Sequence, residues 1–194
     1  MHKSEEKKLL RQEIKKRIDD MDTEKRHGEG RTLSRVLLKH IPEGSTVCAY
    51  FPLKSEVDIR LLLKELLDRG DTVYLPVFAG ADTKMIYRKA ENLHNLSPGE
   101  FTIPEPPANA EELGDKEVDI VLVPGRAFDR QGNRLGRGSG GYDTWLGWYK
   151  KHHTDTPLWG TCLQCQLMID VPMEPHDIPM DIIITANDWI EVTT

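Results

Sequence analysis

The run Val118-Asp119-Ile120-Val121-Leu122-Val123 places apolar, mostly β-branched side chains at nearly every position, so a strand made from it has no face to give to water. Such a strand belongs inside a parallel sheet with helices on both sides. Residues 123–143 follow with four arginines (Arg126, Arg130, Arg134, Arg137), six glycines and a closing carboxylate, and residues 143–151 read as a helix. Strand, glycine loop and helix in that order put the loop at the carboxyl edge of the sheet, beside the positive end of the helix dipole. Glycines let backbone N–H groups approach an anion closely, arginines supply forked donors, and Asp143 can ligate the Mg²⁺ that travels with a nucleotide. The loop is the expected active site and a polyphosphate its expected ligand; the plainer alternative is a solvated Arg/Gly loop. No Walker motif follows the glycines, and they do not sit at the first strand–helix turn as a Rossmann fingerprint requires.

The rest of the chain alternates in the same way. Leu10, Ile14, Ile18 and Met21 recur at helical spacing in a charged segment, and a second helix is expected over 23–40, with Leu33, Val36 and Leu37 inward and Gly28 and Gly30 weakening it. Strands are expected over 46–51, 72–77, 85–88, 157–160, 181–185 and 189–192, and a leucine-rich helix over 59–69 stopped by Gly70. The expectation is an α/β three-layer sandwich, a mostly parallel central sheet flanked by helices, forming a single domain over residues 1–194. Residues 89–116, rich in Pro, Glu and Asn, read as a long loop covering a site.

Charge and cysteine usage narrow the class. A net charge of −6 and a pI near 5.7 argue against nucleic-acid or membrane-surface binding. The opening residues lack an apolar signal core and no stretch of about 18 apolar residues occurs, which places the chain in the cytoplasm. Three cysteines, an odd number, suit reduced thiols. Cys162-Leu163-Gln164-Cys165 reads either as a redox or half-zinc pair or as two small buried residues, the second being commoner. His152-His153 lacks a third ligand at suitable spacing and suits a helix end.

Several single residues carry two readings. Lys7 and Arg11, one turn apart, can reach one anion together, although the residues alone favour a solvated charged face. Glu56, on a loop after a strand, can accept hydrogen bonds from a ligand or can serve as surface acid near a helix start. Asp143 and Asp181, reached by two β–α connections, suit a hard cation, or are ordinary helix-leading and strand-leading acids.

Val123-Pro124, Ala127-Phe128-Asp129, Gly132, Arg134-Leu135-Gly136-Arg137-Gly138 and Gly141-Tyr142-Asp143 together resemble the signature of the 5-formyltetrahydrofolate cyclo-ligase family. Lys7-Lys8-Leu9-Leu10-Arg11, the segment from Tyr50 to Asp58, Met85-Ile86-Tyr87-Arg88, Gly99 with Ile103-Pro104-Glu105-Pro106, and Gln166, His176-Asp177 and Asp181 fall in the family's order, so the resemblance covers most of the chain. It implies ATP- and Mg²⁺-dependent cyclisation of 5-formyltetrahydrofolate to 5,10-methenyltetrahydrofolate, with release of ADP and phosphate. By the same resemblance ATP is held by Lys7, Arg11, Arg134, Leu135, Gly136, Arg137, Gly138, Ser139, Gly140, Gly141 and Tyr142. The folate is held by Phe51, Glu56 and Met85, Mg²⁺ by Asp143 and Asp181, and Glu56, Arg137 and Tyr142 serve catalysis. Two departures stand inside the signature: Gly141 replaces the first tyrosine of a pair, and Arg126 replaces a residue that is usually small or apolar. The alternatives are a nucleotide- or folate-binding member without ligase activity, and a sugar-phosphate isomerase or sensor on a similar sheet.

Overall fold

The computed structural model describes residues 3–79, 84–99 and 102–193. In chain order it forms α1 (Lys3–Asp19), α2 (Thr23–His40), β1 (Thr46–Cys48), α3 (Arg60–Arg69), β2 (Thr72–Ala79), β3 (Lys84–Ala90), β4 (Ser97–Pro98), β5 (Pro104–Glu105), β6 (Ile120–Pro124), β7 (Ala127–Asp129), β8 (Arg134–Leu135), α4 (Gly141–His152), β9 (Leu158–Thr161), β10 (Leu167–Met168), β11 (Ile182–Ile184) and β12 (Trp189–Glu191). The helix ends follow local chemistry. Asp22 caps α2 by accepting the Lys25 N–H at 2.9 Å, and Gly70 closes α3 in the left-handed region at φ 89°.

Seven strands make the central sheet in the order β12-β11-β9-β6-β1-β2-β3, parallel from β11 through β2 and antiparallel at both edges. Because side chains alternate across a strand, its apolar residues separate into two cores. Val47, Val73, Leu75, Ile120, Leu122 and Ile184 pack with Ile14 and Ile18 of α1, Leu33 and Leu37 of α2, and Leu62, Leu63 and Leu66 of α3. Cys48, Tyr74, Val121, Val123, Leu158 and Ile183 pack with Trp145, Leu146 and Tyr149 of α4. The result is the three-layer α/β sandwich expected from the sequence. Gly30, which weakens a helix by propensity, is there for packing: a Cβ would stand 2.6 Å from the Asp58 carbonyl oxygen.

The strand order creates a crevice. From β1 the chain moves outward through β2 to β3, then returns to place β6 on the other side of β1 and continues outward through β9 and β11. The loops leaving β1 and β6 at their carboxyl ends therefore diverge, and this topological switch point is where open α/β sheets hold ligands. A second sheet, β10-β7-β8, sits beside it and was not expected, since strands of two or three residues carry no periodic signal. The described residues between 89 and 116 are mostly irregular, as expected, apart from the end of β3, the β4–β5 pair and a bridge between Arg88 and Glu112. Among the described residues no helix is long and apolar enough to cross a membrane.

Candidate active site

The glycine loop is built on a buried anchor. Asp129 has no exposed surface; one carboxylate oxygen accepts the N–H groups of Gln131 (2.9 Å) and Asn133 (3.0 Å), and the other accepts Asn133 Nδ2 and the Val171 N–H, both at 2.8 Å. One side chain thus fixes both the β7–β8 hairpin, which leads into the glycines, and the segment running on to Glu174 and Asp177. Gln166 holds the root of the loop, donating from Nε2 to the carbonyls of Gly125 (2.9 Å) and Arg126 (3.1 Å).

Arg134 is buried below the loop. It donates to the Pro124 carbonyl at 3.1 Å and pairs with Asp143, while its Nε has no hydrogen-bond partner among the described residues. Its guanidinium lies 5.7 Å from the centroid of the Tyr142 ring. Leu135 is core: its side chain is buried, its carbonyl accepts the Arg126 N–H at 2.7 Å, and it lines none of the three cavities around the loop.

Those cavities meet along the loop. The first, about 280 Å³, is lined by Tyr50, Phe51, Phe78, Ile103 and Tyr142, with Glu56 and Asp143 as its acids and Gly136 through Gly140 as one wall. The second, about 260 Å³, is lined by Lys7, Arg11, Asp143, Glu174 and Asp177 against Gly136, Gly138 and Gly140. The third, about 700 Å³, lies between β3 and α4, with Met85, Tyr87, Trp145 and Trp148 against Ser139, Gly140 and Gly141. Gly138 (φ 102°) and Gly140 (φ 76°) occupy the left-handed region, so glycine is required there by the backbone; Gly141 is not in that region.

Charge is arranged differently in the first two cavities. In the first, Glu56 is 9% exposed, accepts the Leu53 N–H at 2.9 Å and pairs with Arg137 at 3.2 Å. Burial pushes its pKa up, and the Leu53 N–H, Arg137 and Arg126 pull it only part of the way back. Tyr142 is also raised, by burial first and then by Glu56; its hydroxyl and that of Tyr87 are buried and near enough to influence each other, but neither makes a well-formed hydrogen bond. In the second cavity Lys7 bonds Asp177 at 2.5 Å and Glu174 at 2.7 Å. Burial acts to lower the Lys7 pKa, yet the two carboxylates leave it above the ordinary lysine value. Burial acts to raise Asp177, and Lys7 with the Glu174 N–H holds it below the ordinary range. Arg11 donates from Nε to the Gly136 carbonyl at 2.9 Å.

A family model for 5-formyltetrahydrofolate cyclo-ligases matches residues 3–186. The chain belongs to that family. Among curated relatives, the 5-formyltetrahydrofolate cyclo-ligase of Mycolicibacterium smegmatis is 37% identical over 174 residues, covering 85% of this chain and 86% of the relative. That of Saccharomyces cerevisiae is 32% identical over 206 residues, covering 95% and 97%. The NMR structure of Aquifex aeolicus 5,10-methenyltetrahydrofolate synthetase superposes with a TM-score of 0.82 at 29% identity, covering 100% of this chain and 94% of that one. The chain is accordingly a cyclo-ligase enzyme.

Placed in this cyclo-ligase fold, most of the residues singled out from the sequence come together. Lys7, Arg11 and Asp143 share one cavity and Phe51, Glu56, Arg134 and Tyr142 another, while Asp143, Gly136, Gly138 and Gly140 face both, with Arg137 reaching Glu56. Four do not join them: Leu135 is core, Gly141 and Met85 line the third cavity, and Asp181 lies elsewhere. Asp181 sits at the amino edge of the sheet, where one carboxylate oxygen accepts the Leu158 N–H at 2.7 Å and lies 3.4 Å from Lys150 Nζ. It leads a parallel strand whose opposite end points to the site, so pairing it with Asp143 around one cation is corrected. The acids that do line the Asp143 cavity are Glu174 and Asp177, the latter from the same closing block His176-Asp177; spacing along the chain does not say which edge an acid reaches. Met85 lines the third cavity rather than the one holding Glu56. Of the remaining expectations, Cys162 is buried, Cys165 half-buried and both are free; among the described residues no three metal-ligating side chains converge. His152 ends α4, exposed, bonded to the Trp148 carbonyl at 2.8 Å.

Proposed function

We propose that this chain catalyses the ATP- and Mg²⁺-dependent cyclisation of 5-formyltetrahydrofolate to 5,10-methenyltetrahydrofolate, releasing ADP and phosphate, with two small-molecule substrates and a cytoplasmic setting. The observation that carries the proposal is the shared wall: Gly136, Gly138, Gly140 and Asp143 line both the charged cavity, where Lys7 and Arg11 stand beside Asp143, Glu174 and Asp177, and the largely apolar cavity of Glu56. Two ligands separated by one glycine loop can bring a γ-phosphoryl group and a formyl oxygen within reacting distance.

On this reading the folate enters the apolar cavity, where Phe51 and Phe78 flank the ring system and Glu56 accepts hydrogen bonds from its N–H groups. The triphosphate lies against Lys7, Arg11 and the loop N–H groups. The formamide oxygen attacks the γ-phosphorus in line as ADP leaves, giving an imidate phosphate. N10 then attacks the formyl carbon, its proton passes to solvent, and expulsion of phosphate leaves the methenyl bridge. Such a loose phosphoryl transition state calls for positioning and charge neutralisation, which Arg137, Lys7 and Arg11 supply. Asp143 and Asp177 fit a Mg²⁺ that keeps several waters, since both are oxygen donors on one cavity, each now held by a cationic side chain (Arg134 and Lys7). Bound there, the ion would offset the negative charge of the phosphate groups.

The test is absorbance in the methenyltetrahydrofolate band after mixing protein, 5-formyltetrahydrofolate and Mg²⁺, with and without ATP. Growth that requires ATP and disappears in Asp143→Ala is expected. No growth despite saturable binding of both ligands would replace the ligase with a binding module.

A further inference from the structure

The lining of the cavity proposed for the triphosphate holds three carboxylates, Asp143, Glu174 and Asp177, and two cations, Lys7 and Arg11. Arg134 reaches Asp143 from outside that lining, which leaves Glu174 and Asp177 to share one ammonium group, Lys7 Nζ, at 2.7 and 2.5 Å. Arg11 spends its Nε–H on the Gly136 carbonyl at 2.9 Å. Two further charged groups stand at the rim. Lys3 Nζ donates to the Met173 carbonyl at 2.7 Å, and the exposed ring of His176 lies 3.7 Å from Asp177.

The two carboxylates on Lys7 are not equivalent. The Asp177 side chain is 7% exposed and also accepts the Glu174 N–H at 2.7 Å, so its position is set from two sides. The Glu174 side chain is 30% exposed, and Lys7 is the only hydrogen-bond partner of its carboxylate among the described residues. Among the described residues no three metal-ligating side chains converge, so Glu174 does not join Asp143 and Asp177 as a third ligand. Those two serve the cavity as oxygen donors to a cation; Glu174 adds its charge. That charge opposes an incoming polyanion in proportion to the polyanion's own, and near neutral pH a bare triphosphate carries about twice the net negative charge of its Mg²⁺ complex.

We propose that Glu174 is a specificity-determining residue for the metal state of the nucleotide: its carboxylate, held beside Lys7, penalises a metal-free triphosphate more than the Mg²⁺ complex. This rests on the reading of the Lys7 cavity as the triphosphate site. The discrimination requires no movement of Lys7 or Glu174, because the charge acts across the cavity from where it stands.

The experiment is calorimetric titration of the whole chain with a non-hydrolysable ATP analogue, once in excess EDTA and once in excess Mg²⁺, at one pH so that the charge on His176 is constant. In Glu174→Gln the metal-free analogue should bind about tenfold tighter than in the unmodified protein, the size of one charge–charge interaction near a protein surface, and the Mg²⁺ complex no more than about threefold tighter. The difference between the two proteins should vanish at about 1 M salt, where charges are screened beyond about 3 Å. A side chain that merely braces α1 would leave a difference indifferent to salt and metal. Glu174→Asp, which keeps the charge, should restore the unmodified preference, and should the glutamine variant fold poorly, Glu174→Ala against Glu174→Asp gives the same contrast. Equal affinities of Glu174→Gln and the unmodified protein for the metal-free analogue would overturn the proposal. So would a weaker Mg²⁺ complex in Glu174→Gln with the metal-free analogue unchanged, since Glu174 would then be a ligand of the ion. Arg11→Ala separates the two levels. If it weakens the analogue while Glu174→Gln alters nothing, the cavity holds the triphosphate and Glu174 alone is wrong; if all three proteins bind the analogue alike, the cavity is not the triphosphate site and the role of Glu174 falls with it.

Discussion

The two edges of the parallel sheet use the same residue types for opposite ends. At the amino edge, acids placed just before strands turn back onto backbone N–H groups: Asp71 accepts from Gly44 (2.8 Å) and Ser45 (3.0 Å), Asp119 from Thr46 (2.7 Å) and Asp181 from Leu158 (2.7 Å). At the carboxyl edge, Glu56, Asp143 and Asp177 are paired to Arg137, Arg134 and Lys7, and Arg126 Nη1, Arg134 Nε and the Tyr142 hydroxyl are buried without partners. At the amino edge these three acids are satisfied by the chain itself. The other edge keeps charges that can change partners, which is the condition a ligand exploits. An acid at the end of a β–α unit is therefore evidence of function only once its edge is known.

The most direct way to break this comparison is to remove a charge from the carboxyl edge. Arg137→Ala is expected to lower turnover by about a hundredfold or more, as loss of one preorganised charge stabiliser does, with some loss of thermal stability because the nearly buried Glu56 carboxylate is left without its cation. Steady-state rates near those of the unmodified enzyme would remove Arg137 from the chemistry.

Asp177 and Asp181 sharpen it. Asp177→Asn should weaken the Mg²⁺ and nucleotide dependence by about ten- to a hundredfold, since it removes a carboxylate from the Asp143 cavity and frees Lys7. Asp181→Asn should leave that dependence alone and cost stability instead, by about 1 kcal/mol through the Leu158 hydrogen bond, a fall of about 2–4 °C in melting temperature for a chain of this length. Titrating Mg²⁺ against activity for both variants decides between the edges; a shifted Mg²⁺ requirement in Asp181→Asn with none in Asp177→Asn would reverse the assignment.

What the sequence made legible follows from what each signal measures. Periodicity reports burial along one element, so α2 was expected over 23–40 and is observed as Thr23–His40, and Gly70 ended α3 because only glycine enters the left-handed region freely. The glycine loop and its arginines were visible as a cluster because they are close in sequence. Contacts between elements were not visible: Glu56 and Arg137 lie 81 residues apart and meet because β1 and β6 are neighbours at the switch point. For the same reason the sequence did not show that Asp181 reaches the amino edge or that Met85 lines a different cavity from Glu56. The strand expected over 46–51 stops at Cys48, leaving Tyr50 and Phe51 outside the ladder as cavity wall, and no alternation of apolar residues marks that change.

Gly141 is the subtlest point on the carboxyl edge. Unlike Gly138 and Gly140, its backbone does not need glycine, and as the first residue of α4 it lacks the helix propensity of nearly any other residue, a difference of roughly 0.5–1 kcal/mol. It borders the cavity of about 700 Å³ between Met85, Tyr87 and Trp145, so a phenol at this position has room beside the loop. Gly141→Tyr restores the family's tyrosine pair and should raise both the melting temperature slightly and kcat by less than about tenfold, the range of one neutral hydrogen bond. The two readouts divide the possibilities. A gain in both means the missing phenol acted on the reaction; a gain in melting temperature with unchanged or lower kcat means that Gly141 costs the helix something and the chemistry nothing, so the edge works as it stands.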